Sequence, residues 1–317
     1  MKQFIINVLS LFLFHSSFCQ ENVNFVDSVG QNIEGTELEL VKIKEDYYVV
    51  QPAGIAGNVG VYVGMDGVVL IDSQWSKLIP RIKELLKTVT DKPINYIINT
   101  HFHFDHVDGN KIFGKEKVPI IAHRNLRARL SADQVITGSP YGAIVQKAYS
   151  PEALPSIVFG DSMELHDGKE TIRILHFPNA HTDGDAIVHF KNANIYHTGD
   201  IFVTYGLPVL DENNGGDVYA MISAIQYLLS LSNIETRVIP GHGSVCTFKE
   251  LSEYLKMLTS IRDQVAKMVR KGIKLDKVLS GVVIDENVGG LDKEKFVAHV
   301  YRMALKHEKI HSERKPK

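Results

Sequence analysis

Four times in this chain an apolar run of strand character ends abruptly in a polar turn that carries a metal-ligating type of residue. Residues 94–100 lead into His101-Phe102-His103-Phe104-Asp105-His106, and residues 172–177 lead through Pro178-Asn179-Ala180 to His181. Residues 195–199 deliver Asp200, and residues 237–241 deliver His242-Gly243. In α/β proteins, strand ends that open into loops are where ligands and chemistry gather. The pattern therefore predicts a fold in which four strand ends converge on one point. The first turn is the densest, with four potential ligands in six residues. Neutral imidazole suits Zn²⁺, and a carboxylate beside it supplies a hard anionic ligand or a base. If the segment is extended, His101, His103 and Asp105 point one way and His106 the other, a geometry able to serve two metal ions.

The ordered set His101-x-His103-x-Asp105-His106, His181, Asp200 and His242 resembles the five-part signature of the metallo-β-lactamase superfamily. The flanking words agree: Thr100 before the cluster, Gly109-Asn110 after it, Thr198-Gly199-Asp200, and Pro240-Gly241-His242-Gly243. The resemblance spans about residues 45–250. It implies an α+β chain folded as a four-layered αββα sandwich and two Zn²⁺ ions per chain. His101, His103 and His181 would hold the first ion, Asp105, His106 and His242 the second, and Asp200 would bridge them. It also implies a small-molecule substrate. The familiar lactamase subclasses carry Cys or Ser where Asp200 stands, whereas thioesterases of the glyoxalase II type and lactonases carry Asp. Asp72, at the end of a strand, resembles a position that supports the ligands from behind; a turn or helix cap is the plain alternative.

Two divalent cations lower the pKa of a shared water from about 15.7 toward neutrality, giving a hydroxide nucleophile at physiological pH. Asp105 is the candidate catalytic residue, orienting that nucleophile or carrying a proton to the leaving group. The expected reaction is hydrolysis of a carbonyl bond in a β-lactam, lactone or thioester. Alternatives on the same scaffold are a single-iron sulfur dioxygenase, a phosphodiesterase-type enzyme and a non-catalytic binding protein. The chain shows no Gly-x-Ser-x-Gly elbow and no Cys paired with a base.

With 317 residues, 44% of them hydrophobic, the chain can bury a large core, and a net charge of −2 announces no nucleic-acid-binding face. Lys2, an apolar run over residues 4–14 and the small Ser16 and Ser17 read as a secretory signal peptide, too short to remain as a transmembrane helix. Cleavage after Cys19 would leave a periplasmic or secreted protein; lipid attachment at Cys19 is the alternative, against which Phe18 stands. The expected organisation is a signal peptide over 1–19, a metallo-β-lactamase-like domain over 20–272 and a helical extension over 273–317, with Gly272 as the helix stop.

Within the domain, residues 47–50, 60–63 and 68–73 read as a β-meander, and residues 76–88, 217–231 and 248–271 as amphipathic helices. The loop over 51–58, with glycines flanking Ile55, reads as an apolar flap or an ordinary hairpin connection. Residues 130–160 read as irregular, either a substrate wall or a plain insertion. The loop over 205–217, starting at Tyr205 and following Asp200, is the better candidate for substrate recognition. His123, His166, His176, His189 and His197 read as structural or surface residues, and Cys246 as a small buried side chain.

Overall fold

A computed structural model of the chain describes residues 33–313 apart from 55, 140 and 291. The expected signal segment with Cys19, and Ile55 of the 51–58 loop, lie outside the described residues. Strands β1 (Leu38–Lys44), β2 (Tyr47–Pro52), β3 (Val59–Val63) and β4 (Val68–Ile71) form an antiparallel meander. β5 (Ile94–Ile98) and β6 (Ile120–His123) continue the sheet in parallel. A parallel neighbour needs a crossover, and the helix Ile79–Lys87 supplies the one from β4 to β5, with Pro80 in its first turn where no backbone donor is lost. β7 (Gln134–Ile136) and β8 (Ile144–Gln146) pair only with each other, and β9 (Ile157–Phe159) closes the first sheet beside β6.

The second sheet has the order β10 (Ser162–Asp167), β11 (Glu170–His176), β12 (Ala186–Phe190), β13 (Ile195–His197), β14 (Arg237–Ile239), β15 (Cys246–Thr247). Adjacent apolar residues in the central strands point to opposite faces and so belong to different cores. Val49, Ile71 and Ile98 meet Ala186, Val188 and Ile239 between the sheets. Their neighbours Val50, Leu70 and Ile97 face outward to Ile79, Ile82 and Leu126 of the first helical layer. On the other side Ile187, Tyr196 and Val238 face the helices Val218–Leu231 and Phe248–Arg270. Two sheets face to face under two helical layers make the expected αββα sandwich.

The long helix Phe248–Arg270 begins with a capping box, Thr247 and Glu250 bonding each other's backbone donors. It ends before Gly272, whose φ of +69° suits a residue without a Cβ. After the short helix Leu275–Gly281, the helix Lys293–Glu313 packs back, placing Phe296, Val297, Val300 and Ala304 in the same core as Leu258, Ile261 and Val265. The helical extension thus packs into the second helical layer.

Two local expectations need correction. Residues 104–107 form a helical turn, Phe104–Val107, so Asp105 and His106 do not alternate across an extended segment. Residues 130–160 contain the β7–β8 hairpin rather than being irregular throughout. Cys246 is buried, as expected, and lies in β15.

Two outcomes follow for stability. Replacing Phe296, only 3% exposed, with Ala should lower unfolding free energy by about 3–5 kcal/mol, read from the urea midpoint. His123 caps the helix Arg124–Leu130, its Nδ1 accepting from the Asn125 amide at 3.3 Å, and stacks on His176 with centroids 3.5 Å apart. Burial, aided by His176, pushes its pKa down to about 4. The contribution is fully present above the unfolded value of about 6.5 and is lost as pH falls toward 4. His123→Asn, a cap that does not titrate, should flatten the stability profile across that window.

Candidate metal centre

Sheet topology brings the four ligand turns to one end of the sandwich. β5 ends at Ile98, and His101 and His103 follow before the helical turn carrying Asp105 and His106. The parallel pairing of β13 with β14, His197 opposite Ile239, sends Asp200 and His242 out of the same edge. His181 enters after β11, its amide donating to Asp185 Oδ2 at 2.6 Å. Glycine is required twice at this junction. Gly199 has φ +51°, and a Cβ on Gly241 would lie 1.9 Å from Asp200 Oδ1.

The expected ligands form three overlapping groups: His101 with His103 and His181; Asp105 with His106 and His242; and His101 with His106 and Asp200. His181 Nε2 lies 3.0 Å from His103 Nδ1, and His106 Nε2 lies 3.2 Å from His242 Nε2. Asp105 Oδ2 is 3.2 Å from His242 Nε2. Asp200 stands between the groups, with Oδ1 3.2 Å from His106 and Oδ2 3.4 Å from His242 and 3.7 Å from His181.

The remaining imidazole nitrogens show which way the rings are held. His106 Nδ1 meets Asp72 Oδ2 at 2.8 Å, and Asp72 also accepts from the Thr100 amide and hydroxyl at 2.7 Å. His103 Nε2 meets Asp211 Oδ2 at 3.0 Å, His181 Nδ1 meets the Val209 carbonyl at 2.8 Å, and His101 Nδ1 meets Thr100 Oγ1 at 3.1 Å. Outward partners of this kind fix the tautomer and aim the other nitrogen inward.

The donor set fits cations. Ligands at about 2.0–2.2 Å in tetrahedral array lie roughly 3.3 Å apart, close to the separations above. His101 Nε2 and Asp200 Oδ1 are buried without a hydrogen-bond partner, which a bound cation would remedy. Burial holds the His101 imidazole well below its usual range, with His106 adding to the effect, and holds His181 down to about 4 with help from His103. Both are therefore neutral and able to ligate. Burial pushes the Asp200 carboxyl upward, but His242 and His106 outweigh it and hold it well below the usual carboxylate range. The same balance lowers Asp105 through His106 and His242.

A cavity of about 340 Å³ opens on this cluster, with His103, Asp105, His181, Asp200 and His242 at one end. Phe104, Val209 and the paired Ile136 and Ile144 of the β7–β8 hairpin form its walls, joined by Tyr141, Tyr205 and Gly290. The Tyr205 ring packs edge-on against His242 with centroids 5.8 Å apart.

The fold and this constellation decide the family, since the metallo-beta-lactamase superfamily model matches residues 53–242, more than half of the chain. The chain belongs to the metallo-beta-lactamase superfamily. It is a metallo-hydrolase of the β-lactamase-like kind. Over 197 residues it is 28% identical to a probable metallo-hydrolase of Methanocaldococcus jannaschii, covering 61% of this chain and 90% of that one. It is 29% identical to a hydroxyacylglutathione hydrolase of Pelagibacter ubique over half of this chain and 57% of the relative. Among solved structures, a metallo-beta-lactamase from Pontibacter korlensis superposes with a TM-score of 0.57 at 18% identity, over 70% of this chain and 99% of that one. A sec-alkyl sulfatase double mutant gives 0.66 at 16% identity, over 84% of this chain and 50% of that one. These structural likenesses are those of fold.

Sequence reasoning missed Asp211, which orients His103, and Gly290, which reaches the cavity from the C-terminal stretch. Asp211 had a faint signal, an acid in the loop already singled out after Asp200. Gly290 had none. Asp211→Asn keeps the shape but removes the charge facing His103 Nε2. Metal affinity should fall roughly 10-fold or more, measured by competition with a chromophoric chelator, with exposed Asp133→Asn as the unaffected control.

Proposed function

We propose that this chain is an exported zinc-dependent hydrolase that holds two Zn²⁺ ions and cleaves a carbonyl bond in a lactam, lactone or thioester. The observation that carries the proposal is the position of Asp200 between two groups of ligand atoms. In this reading His101, His103 and His181 would hold one ion and Asp105, His106 and His242 the other, with Asp200 available to both.

Bound there, a pair of divalent cations supplies a nucleophile from water near neutral pH and Lewis acidity toward a carbonyl oxygen. The protein's own part is positioning and proton transfer. Asp105 lines the cavity, and its carboxylate could take a proton from the attacking water and pass it to the leaving group. Asp72 and Asp211 hold the rings of His106 and His103 from behind, so the ligands do not reorient as charge develops. Phe104, Ile136, Ile144 and Val209 limit water around the reacting bond.

The alkyl sulfatase likeness spans more of this chain than the lactamase likeness, 84% against 70%, and favours a second reading in which the bond is that of an alkyl sulfate ester. A hydrolysis screen of the zinc-loaded protein with cephalosporin, lactone, glutathione thioester, alkyl sulfate and phosphodiester probes separates the branches. Chelation should abolish activity, two metal ions per chain should be recovered by elemental analysis, and Asp105→Ala should lower kcat roughly 100-fold or more on the true substrate. Full activity in the metal-free protein would sink the mechanism.

A further inference from the structure

We infer that the cavity beside the metal centre receives an uncharged, apolar group, so that the substrate is an acyl ester, lactone or thioester carrying no ionised group remote from its scissile bond. This rests on the carbonyl reading above and narrows it. The metal-facing end of the cavity holds both carboxylates that line it, Asp105 and Asp200, with His103, His181 and His242; away from it the lining is Phe104, Ile136, Ile144 and Val209 with Ser139 and two tyrosines. No Lys or Arg lines it among the described residues.

The cations carried by the surrounding elements are engaged elsewhere. Arg129 forms an ion pair with Asp183 at 2.7 Å and bonds Asn214; Lys147 pairs with Asp133 at 2.7 Å on the hairpin's exposed side; Arg302 pairs with Glu212 at 2.6 Å. A carboxylate drawn into such a site would lose its hydration and gain no bidentate or ammonium partner, which is how proteins ordinarily recognise that group. An ammonium would likewise be desolvated against aliphatic walls. An apolar tail meets no such penalty. Cross-strand partners Ile136 and Ile144, each 3% exposed, present a methyl-rich surface to it.

The size of the space is built into the fold. Tyr205 is held at the rim by the segment that precedes the last helix: the Leu207 amide donates to the Gly289 carbonyl at 3.1 Å, and Gly290 has φ +91°. A Cβ on Gly290 would lie 2.6 Å from Leu207 N and 3.2 Å from the Tyr205 ring. The volume of about 340 Å³ accommodates a group of roughly ten non-hydrogen atoms. Substrates with two remote carboxylates, such as glutathione thioesters, and lactams with an obligatory carboxylate are disfavoured by this lining.

The test uses three 4-nitrophenyl esters of equal length on the zinc-loaded full chain: the hexanoate, the monoester of adipic acid and the 6-aminohexanoate. The corresponding amides, hexanamide, adipamic acid and 6-aminohexanamide, are ranked for binding by saturation-transfer NMR. We expect kcat/KM for the hexanoate to exceed both charged esters at least about tenfold, with the amides in the same order. Tyr141→Lys, at a side chain 59% exposed and so able to accept a charge without disturbing the core, should raise the adipate ester relative to the hexanoate about tenfold or more. Equal or better use of the adipate ester by the parent protein, or equal binding of adipamic acid, would overturn the inference. Preferential binding of hexanamide with no ester cleaved would uphold the inference about the cavity while removing the carbonyl reading.

Discussion

The donor set is divided between two sheets, so the packing of one sheet on the other determines whether a metal site exists at all. His101, His103, Asp105 and His106 follow β5 of the first sheet, whereas His181, Asp200 and His242 leave strands of the second. Side chains such as Ile71, Ile98, Ala186 and Ile239 fill the space between the sheets and leave little freedom for sliding. At the ligand end the sheets are also tied by backbone. The Ala186 amide donates to the Thr100 carbonyl at 2.7 Å, and the Asn58 amide donates to the Gly241 carbonyl at 2.7 Å. Asn58 Nδ2 adds bonds to the Pro240 and Gly243 carbonyls at 2.9 and 2.8 Å. The first tie joins the residue before His101 to the start of β12, and the Asn58 bonds join the residue before β3 to those flanking His242. A shift of even 1 Å between the sheets would separate Asp200 from one group of histidines.

The same division explains what could be read from the sequence. Each ligand turn is a local event, an apolar run ending in residue types with few other uses, and the ordered set is legible without knowing the fold. The sandwich itself was implied by the resemblance, and the structure gives its physical basis: neighbouring residues such as Leu70 and Ile71 serve different cores. The course of residues 104–107 was not legible. A single helical turn contains too few residues for a period to show, and it forms because the His106 and Val107 amides both bond to the His103 carbonyl. Asp211 acts on a ring 108 positions away in sequence, a relation no local pattern records.

Assignment of the C-terminal stretch failed to convey its role for another physical reason. Phe296, Val300 and Met303 repeat at helical spacing, and all three are buried. What the spacing does not disclose is that the linker before them crosses to Tyr205–Leu207. That contact is built from backbone, with Gly206, Gly289 and Gly290 brought so close that side chains on them would collide. Glycines chosen for close approach look, in a sequence, like glycines chosen for a turn.

Metal binding and substrate recognition consequently rest on different parts of the chain. The ligands are carried by strand ends whose positions are set by the inter-sheet core, and their backing groups Asp72 and Asp211 are fully buried. The far wall of the cavity comes from the β7–β8 hairpin, the loop after Asp200 and the linker to the last helix, none of which belongs to either main sheet. Substitutions at Tyr141 or Ser139 can alter what the cavity accepts while the donor atoms keep their spacing. Asp211 is the exception, because it lies in the recognition loop yet orients His103, and it also binds the Thr137 amide of the hairpin at 2.9 Å. A substrate that displaces the hairpin would therefore be felt at a metal-facing imidazole, through one buried carboxylate that belongs to both halves of the site.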